Sequence, residues 1–101
     1  MSVFARLSAD GRELTLVVQG RFDYSLHMDF RRSWQQAPGT PERYCVDLEG
    51  SDYLDSSALG MLLLLRDHAG GDRARVRLRH CSPDVRRILR IAAFDQLFEI
   101  D

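Results

Sequence analysis

The run from Val46 to His68 brings an acid and two hydroxyls, Asp55, Ser56 and Ser57, to the boundary between a strand-like segment and an apolar helix. Residues of these types are favoured at a helix start, because a side-chain oxygen can accept a hydrogen bond from a first-turn amide that lacks a partner within the helix. The same amides and the helix dipole also attract anions. Two roles therefore remain open for the serines: they cap the helix, or one of them accepts a phosphoryl group and acts as a switch.

The sequence lacks the residues, or the spacing between residues, that several other functions require. The sequence before Ser56 has no first glycine of a G-x-S-x-G hydrolase elbow, and the chain contains no lysine for a phosphate-binding loop. The histidines, His27, His68 and His80, do not show the i, i+4 spacing of a helical zinc site. We therefore expect no enzyme activity, no cofactor and no metal, and a substrate of a kinase rather than a kinase.

Four arginines, Arg73, Arg75, Arg77 and Arg79, alternate with smaller residues and predict a basic stripe on one strand face. Such a stripe could contact phosphates, but no aromatic residue is interleaved to stack on bases. An exposed strand face must also carry polar residues. We expect a solvated face offset by neighbouring acids, and no binding of nucleic acid.

The periodicity of the chain predicts alternating strands and helices without linkers. A tight hairpin is expected at Asp10-Gly11, and Pro38 to Pro41 should end the first helix. The predicted strands are 3–8, 13–19, 43–48 and 73–79, with a short tail strand possible at 97–100, and the predicted helices are 23–36, 56 to the stop at 70–71, and 82–92. This order predicts an α/β sandwich: a mixed β-sheet of four to five strands, with the later strands parallel and the helices packed largely on one side.

Composition agrees with one domain that spans residues 1–101. The chain has 101 residues, 45% of them hydrophobic, and a formal net charge of −1, so nothing drives it toward nucleic acid or a membrane surface. The first six residues lack a signal-peptide pattern, and the longest apolar run, 61–65, is too short to span a bilayer. Cys45 and Cys81 fit reduced, buried thiols. A cytoplasmic protein is expected.

The string from Tyr53 to Gly60, Tyr-Leu-Asp-Ser-Ser-Ala-Leu-Gly, resembles the signature of STAS domains, in particular the bacterial anti-anti-sigma factors, also called anti-sigma factor antagonists. The segments 20–23 and 82–100 resemble that family's loop after the second strand and its last helix and tail, so the resemblance covers nearly the whole chain. Two departures are visible: Ala58 and Ala93 stand where many members have glycine.

The resemblance implies a partner switch. Ser56 matches the phosphoacceptor of the family, and Asp55 matches its acidic neighbour. Asp23 matches the family loop that lies beside the switch, and Ser57 is expected to be the structural cap. The implied partners are an anti-sigma factor, which is often a serine kinase with a histidine-kinase-like ATPase fold, and a PP2C-type serine phosphatase. The expected partner-binding residues are Asp23, Asp55, Ser56, Ser57, Ala58, Leu59 and Gly60.

A different class of function remains open beside the switch. The chain could be a constitutive STAS scaffold or accessory subunit of a signalling or transport assembly, with Ser56 only a cap. The helix after Ser56 is apolar over more than one stripe, which indicates that part of its first turns faces either the core or a partner.

Overall fold

A computed structural model describes residues 2–101 of the chain. Five strands and three α-helices follow the predicted order. The strands are β1 Ser2–Leu7, β2 Glu13–Gln19, β3 Arg43–Gly50, β4 Val76–Arg79 and β5 Glu99–Ile100. The α-helices are α1 His27–Gln35, α2 Ser56–His68 and α3 Pro83–Ile91, and single 3-10 turns lie at Tyr24–Leu26, Gly71–Arg73 and Phe94–Gln96.

The five strands form one mixed sheet in the order β1-β2-β3-β4-β5. The β1–β2 pair is antiparallel and every later pair is parallel, which confirms the predicted α/β sandwich. The hairpin lies where it was expected: Gly11 has a φ of +74°, and its amide donates to the carbonyl of Ser8 at 2.9 Å. Since a glycine meets little steric penalty at positive φ, this residue suits the turn.

Alternation along the strands makes the sheet one-sided. Each strand turns one set of side chains toward the helices and the other set away from them. The buried core-facing strand residues, all from β2, β3 and β4, are Leu14, Leu16, Val18, Tyr44, Val46, Leu48, Val76 and Leu78. Val3 of β1 and Ile100 of β5 pack against the same core and are partly buried. The predicted helical stripe of Phe22, Leu26, Phe30 and Trp34 is buried against them.

The predicted start of β4 was wrong. The strand begins at Val76, because residues Gly71–Arg73 form a 3-10 turn in which the amide of Arg73 donates to the carbonyl of Gly70. Only Arg77 and Arg79 belong to the strand. Both have acidic neighbours, since Arg77 lies 3.5 Å from Glu13 and Arg79 lies 3.9 Å from Asp101. The expected offset of the basic stripe by acids is confirmed.

The ends of α2 and α3 follow the sequence signals closely. Gly70 and Gly71, both at positive φ, follow α2 as predicted. At α3, Ser82 is the cap, its hydroxyl accepts from the Val85 amide at 3.1 Å, and Pro83 is the first helical residue. Ala93, which follows α3, has a φ of +60°, in the left-handed region that favours glycine.

Candidate functional site

Two loops that are distant in sequence are joined beneath the start of α2. Phe22 and Leu54 form a parallel bridge, and both side chains are buried. The amide of Phe22 donates to the carbonyl of Tyr53 at 3.0 Å, and the amide of Asp55 donates to the carbonyl of Phe22 at 3.3 Å. The bridge therefore brings Asp23 and Asp55, each one residue further along, to the same part of the surface.

Asp55 is the N-cap of α2. Its carboxylate Oδ1 accepts a hydrogen bond from the Ala58 amide at 2.9 Å, and its carbonyl accepts one from the Leu59 amide at 3.2 Å. The expectation that Ser57 would be the cap was wrong. The extended segment ends two residues earlier than a Ser57 cap requires, so the Asp55 carboxylate reaches the first-turn amide and both serines lie inside the helix.

Ser56 is the first residue of α2 and is exposed to solvent. Neither its hydroxyl nor that of Ser57 makes a hydrogen bond with any group in residues 2–101, although Ser57 is half-buried. The capping role that competed with a modification role is thus filled by Asp55. A modifying enzyme could reach the Ser56 hydroxyl without breaking an internal contact of that side chain.

Asp23 caps the short 3-10 turn that precedes α1. Its Oδ1 accepts from the Ser25 amide at 2.9 Å and from the Ser25 hydroxyl at 2.5 Å. These hydrogen bonds, the hydroxyl first, together with the nearby charge of Arg21, hold the pKa of Asp23 below its ordinary value. An ionised carboxylate therefore lies beside the bridge at neutral pH.

Arg21 is a member of this site that the sequence reasoning missed. Its guanidinium carbon lies 4.0 Å from the centre of the Tyr53 ring, and its Nε lies 3.7 Å from Oδ2 of Asp23. Arg21 lies in the segment 20–23 that resembles the family loop, but only the bridge between Phe22 and Leu54 shows that this segment meets Tyr53.

The solvent face of α2 runs in line with Ser56. At about 100° per residue, positions 56, 60, 63, 64 and 67 share one side of a helix, and all five are exposed here. Leu63 and Leu64 are 39% and 45% exposed, so an apolar patch lies on the same face as the serine. The opposite side packs into the core through Ala58, Met61, Leu62 and Leu65.

The expected docking residues of α2 differ in how far their side chains are exposed. Leu59 is half-buried and Gly60 is exposed, but Ala58 is fully buried, so its side chain cannot be part of a docking surface. The exposed leucines lie in the middle of α2 rather than in its first turns, where the apolar excess was expected to face a partner. The first turn is polar on its outer side, because Ser56 occupies it.

One further cluster joins residues that are far apart in sequence. His80 Nδ1 lies 3.0 Å from Oδ1 of Asp47, and Glu49 is close enough that one ligand atom from each of the three lies within 4.8 Å of the others. Partial burial raises the pKa of Asp47, but hydrogen bonds from the Glu49 amide and the His80 ring outweigh it, and the pKa is lowered. These three side chains could together hold a cation. The sequence did not indicate the cluster, because only the spacing between the histidines was considered there.

The family model described as "Mlab, STAS domain" matches residues 5–99. The chain therefore belongs to the STAS domain family, and its five-stranded sheet with three helices is the SpoIIAA-like STAS fold.

Among individual relatives, a STAS-domain containing protein of Pseudomonas aeruginosa (strain UCBPP-PA14) is 59% identical over 100 residues, which are 99% of each chain. Two solved structures share the fold at lower identity. The anti-sigma factor antagonist SpoIIAA in its unphosphorylated form has a TM-score of 0.82 at 17% identity, covering 99% of this chain and 88% of that one. The Bacillus cell fate determinant SpoIIAA in the phosphorylated form has a TM-score of 0.68 at 14% identity, covering 99% and 91%.

Within residues 2–101, no helix combines the length and the apolar character needed to cross a bilayer.

Proposed function

We propose that this protein is an anti-sigma factor antagonist, a single STAS domain of residues 1–101 that regulates transcription by partner switching. In its unphosphorylated form it binds an anti-sigma factor and so releases a sigma factor. Phosphorylation of Ser56 abolishes that binding. The kinase is the anti-sigma factor itself, with a histidine-kinase-like ATPase fold, and a PP2C-type phosphatase restores the serine. The protein has no catalytic role of its own.

The observation that carries this proposal is the exposed, unbonded hydroxyl of Ser56 at the start of an exposed apolar helix face. Asp55 already supplies the cap, so the hydroxyl has no structural task within the described residues. A phosphate on Ser56 would lie on the same face of α2 as the exposed side chains of Leu63 and Leu64. Membership in the STAS family and structural likeness to anti-sigma factor antagonists support the same function.

The switch acts by electrostatics at the docking surface. The kinase transfers the terminal phosphoryl group of ATP to the Ser56 oxygen, which loses its proton, and ADP leaves. The product carries about −1.5 to −2 charges at pH 7, beside Asp23 and Asp55. If docking must desolvate this group, a penalty of about 4 kcal/mol lowers the affinity about 1,000-fold.

This cycle takes place in the cytoplasm, where ATP is available, and it requires neither nucleic acid nor a membrane as partner. The docking residues are Asp23, Asp55, Ser56, Ser57, Leu59 and Gly60, extended by the exposed leucines of α2. Exposed Tyr24, in the 3-10 turn before α1, and exposed Met28, in α1, could enlarge the apolar contact.

The direct experiment compares Ser56→Ala, Ser56→Asp and the matched control Ser57→Ala in a pull-down from native cells, before and after phosphatase treatment. We expect Ser56→Ala to bind its partner constitutively, Ser56→Asp to fail, and Ser57→Ala to remain switchable. Mass spectrometry should locate the phosphate on Ser56. Equal binding by all three variants would falsify the switch and favour a constitutive STAS scaffold.

A further inference from the structure

The surface around Ser56 is poor in positive charge. The segments 20–23 and 49–57 contain four carboxylates and one basic side chain, Arg21. A phosphate dianion on Ser56 would therefore enter an acidic neighbourhood. The neighbouring acids disfavour the dianion, and hydrogen-bond donors or a cation close by would favour it.

The helix itself offers limited compensation. The carboxylate of Asp55 already accepts from the Ala58 amide, and the Leu59 amide donates to the carbonyl of Asp55. Only the amides of Ser56 and Ser57 are then left for a phosphate in the first turn of the described helix. The helix dipole adds about half a positive charge at this end, which is less than the charge of the dianion.

Arg21 is held nearby by contacts that can be exchanged. Its side chain is 60% exposed, its ion pair with Asp23 spans 3.7 Å, and its guanidinium covers the Tyr53 ring. Exposed ion pairs contribute little to stability, because solvent screens the attraction. Asp23 also has hydrogen bonds from the Ser25 amide and hydroxyl, so it keeps bonded partners if Arg21 departs.

The bridge fixes the loop of Arg21 against the start of α2. In a parallel pair, neighbouring chains lie about 4.8 Å apart and residues in register point to the same side. Because Phe22 pairs with Leu54, Arg21 lies beside Tyr53, and Asp23 follows on the same side as Asp55. Ser56 is the next residue after Asp55, so the acceptor lies three positions beyond Tyr53, the register partner of Arg21.

We infer that Arg21 is the internal counter-ion of phosphorylated Ser56: on phosphorylation its guanidinium leaves Asp23 and the Tyr53 ring and binds the phosphate. An arginine suits this role because its planar fork can donate two parallel hydrogen bonds to phosphate oxygens. The inference rests on the proposed function. The movement of Arg21 is a second change at the docking surface, because Tyr53 and Asp23 lose their basic neighbour when Ser56 gains its charge.

The test uses the full chain with phosphoserine installed at position 56 during synthesis, so that no kinase or partner is needed. A ³¹P NMR titration measures the second pKa of the phosphate, which is about 6 when unperturbed. We expect Arg21→Gln to raise this pKa by about 0.5 relative to the unsubstituted protein, because a nearby cation favours the dianion. Arg21→Lys should give an intermediate value, since it keeps the charge without the fork.

The matched control is Arg12→Gln, which removes an exposed arginine at the opposite end of β2 and should leave the phosphate pKa unchanged. In the unsubstituted protein the Nε–H resonance of Arg21 should move on phosphorylation, a readout that needs no variant. An equal phosphate pKa with and without Arg21, an equal rise in the Arg12 variant, or a static Nε–H resonance would overturn the inference. Failure of the partner switch is measured separately by the pull-down, so the two ideas fail independently.

Discussion

Removal of the Asp55 carboxylate tests how the start of α2 is capped. The Asp55→Ala substitution deletes the hydrogen bond of 2.9 Å that satisfies the Ala58 amide at the start of α2. Loss of an Asp N-cap costs about 1 kcal/mol, within a range of about 0.5–2. For a domain of this size that corresponds to a fall in melting temperature of about 4–8 °C, and, with a urea m-value of about 1–2 kcal/mol/M, to a fall in the urea midpoint of about 0.5–1 M.

Two further substitutions at the start of α2 are compared with Asp55→Ala. Asp55→Asn keeps a side-chain oxygen at the cap and should retain most of the stability, because Asn caps about as well as Asp. Ser57→Ala should leave the free energy of unfolding nearly unchanged, since the Ser57 hydroxyl makes no hydrogen bond within the described chain. Urea titrations followed by far-UV circular dichroism measure all three. If Ser57→Ala destabilised the protein as much as Asp55→Ala does, the assignment of the cap to Asp55 would be refuted.

Three further predictions concern the core and the backbone. Leu62→Ala should destabilise the fold by about 2–5 kcal/mol because Leu62 is fully buried, whereas Leu63→Ala should change the urea midpoint little and weaken partner binding in a pull-down. Ala93→Gly should stabilise the protein by about 0.5–1 kcal/mol, since it relieves a φ of +60°; a loss of thermal stability would contradict this. Burial raises the pKa of both Cys45 and Cys81 to about 11, so their contribution to stability is present below about pH 8.5, the pKa of an unfolded thiol, and is lost as the pH rises through about 11. The urea midpoint should fall over that window, and less so when both cysteines are replaced by alanine.

Much of the fold was predictable because its signals are local. The Asp10-Gly11 turn and the Ser82-Pro83 start of α3 each act within a few residues, and both were located correctly. The start of β4 was missed because arginine-alanine alternation from Arg73 mimics a strand. The turn that replaces its first residues depends on backbone hydrogen bonds to Gly70 and Gly71, which alternation does not encode.

The site was predictable only in part. The serine at the helix start follows from its motif, but the choice of cap between Asp55 and Ser57 depends on a shift of only two residues in where the extended segment ends. Arg21 was missed for a different reason. Its contact with Tyr53 spans 32 positions and exists only because a buried bridge aligns two loops.

The packing of α2 argues that phosphorylation excludes the partner locally rather than by refolding the domain. Met61, Leu62 and Leu65 fix the inner side of this helix in the core, and uncovering two such leucines would cost about 3–6 kcal/mol. An exposed phosphate interacting with the first turn and one arginine supplies only about 1–3 kcal/mol, too little to displace the helix. We therefore expect amide NMR shifts caused by phosphorylation of Ser56 to concentrate in residues 20–25 and 52–60. Large shifts at Leu65 and in β3 would instead show that the helix moves, and the electrostatic account of partner exclusion would then have to be replaced by a conformational one.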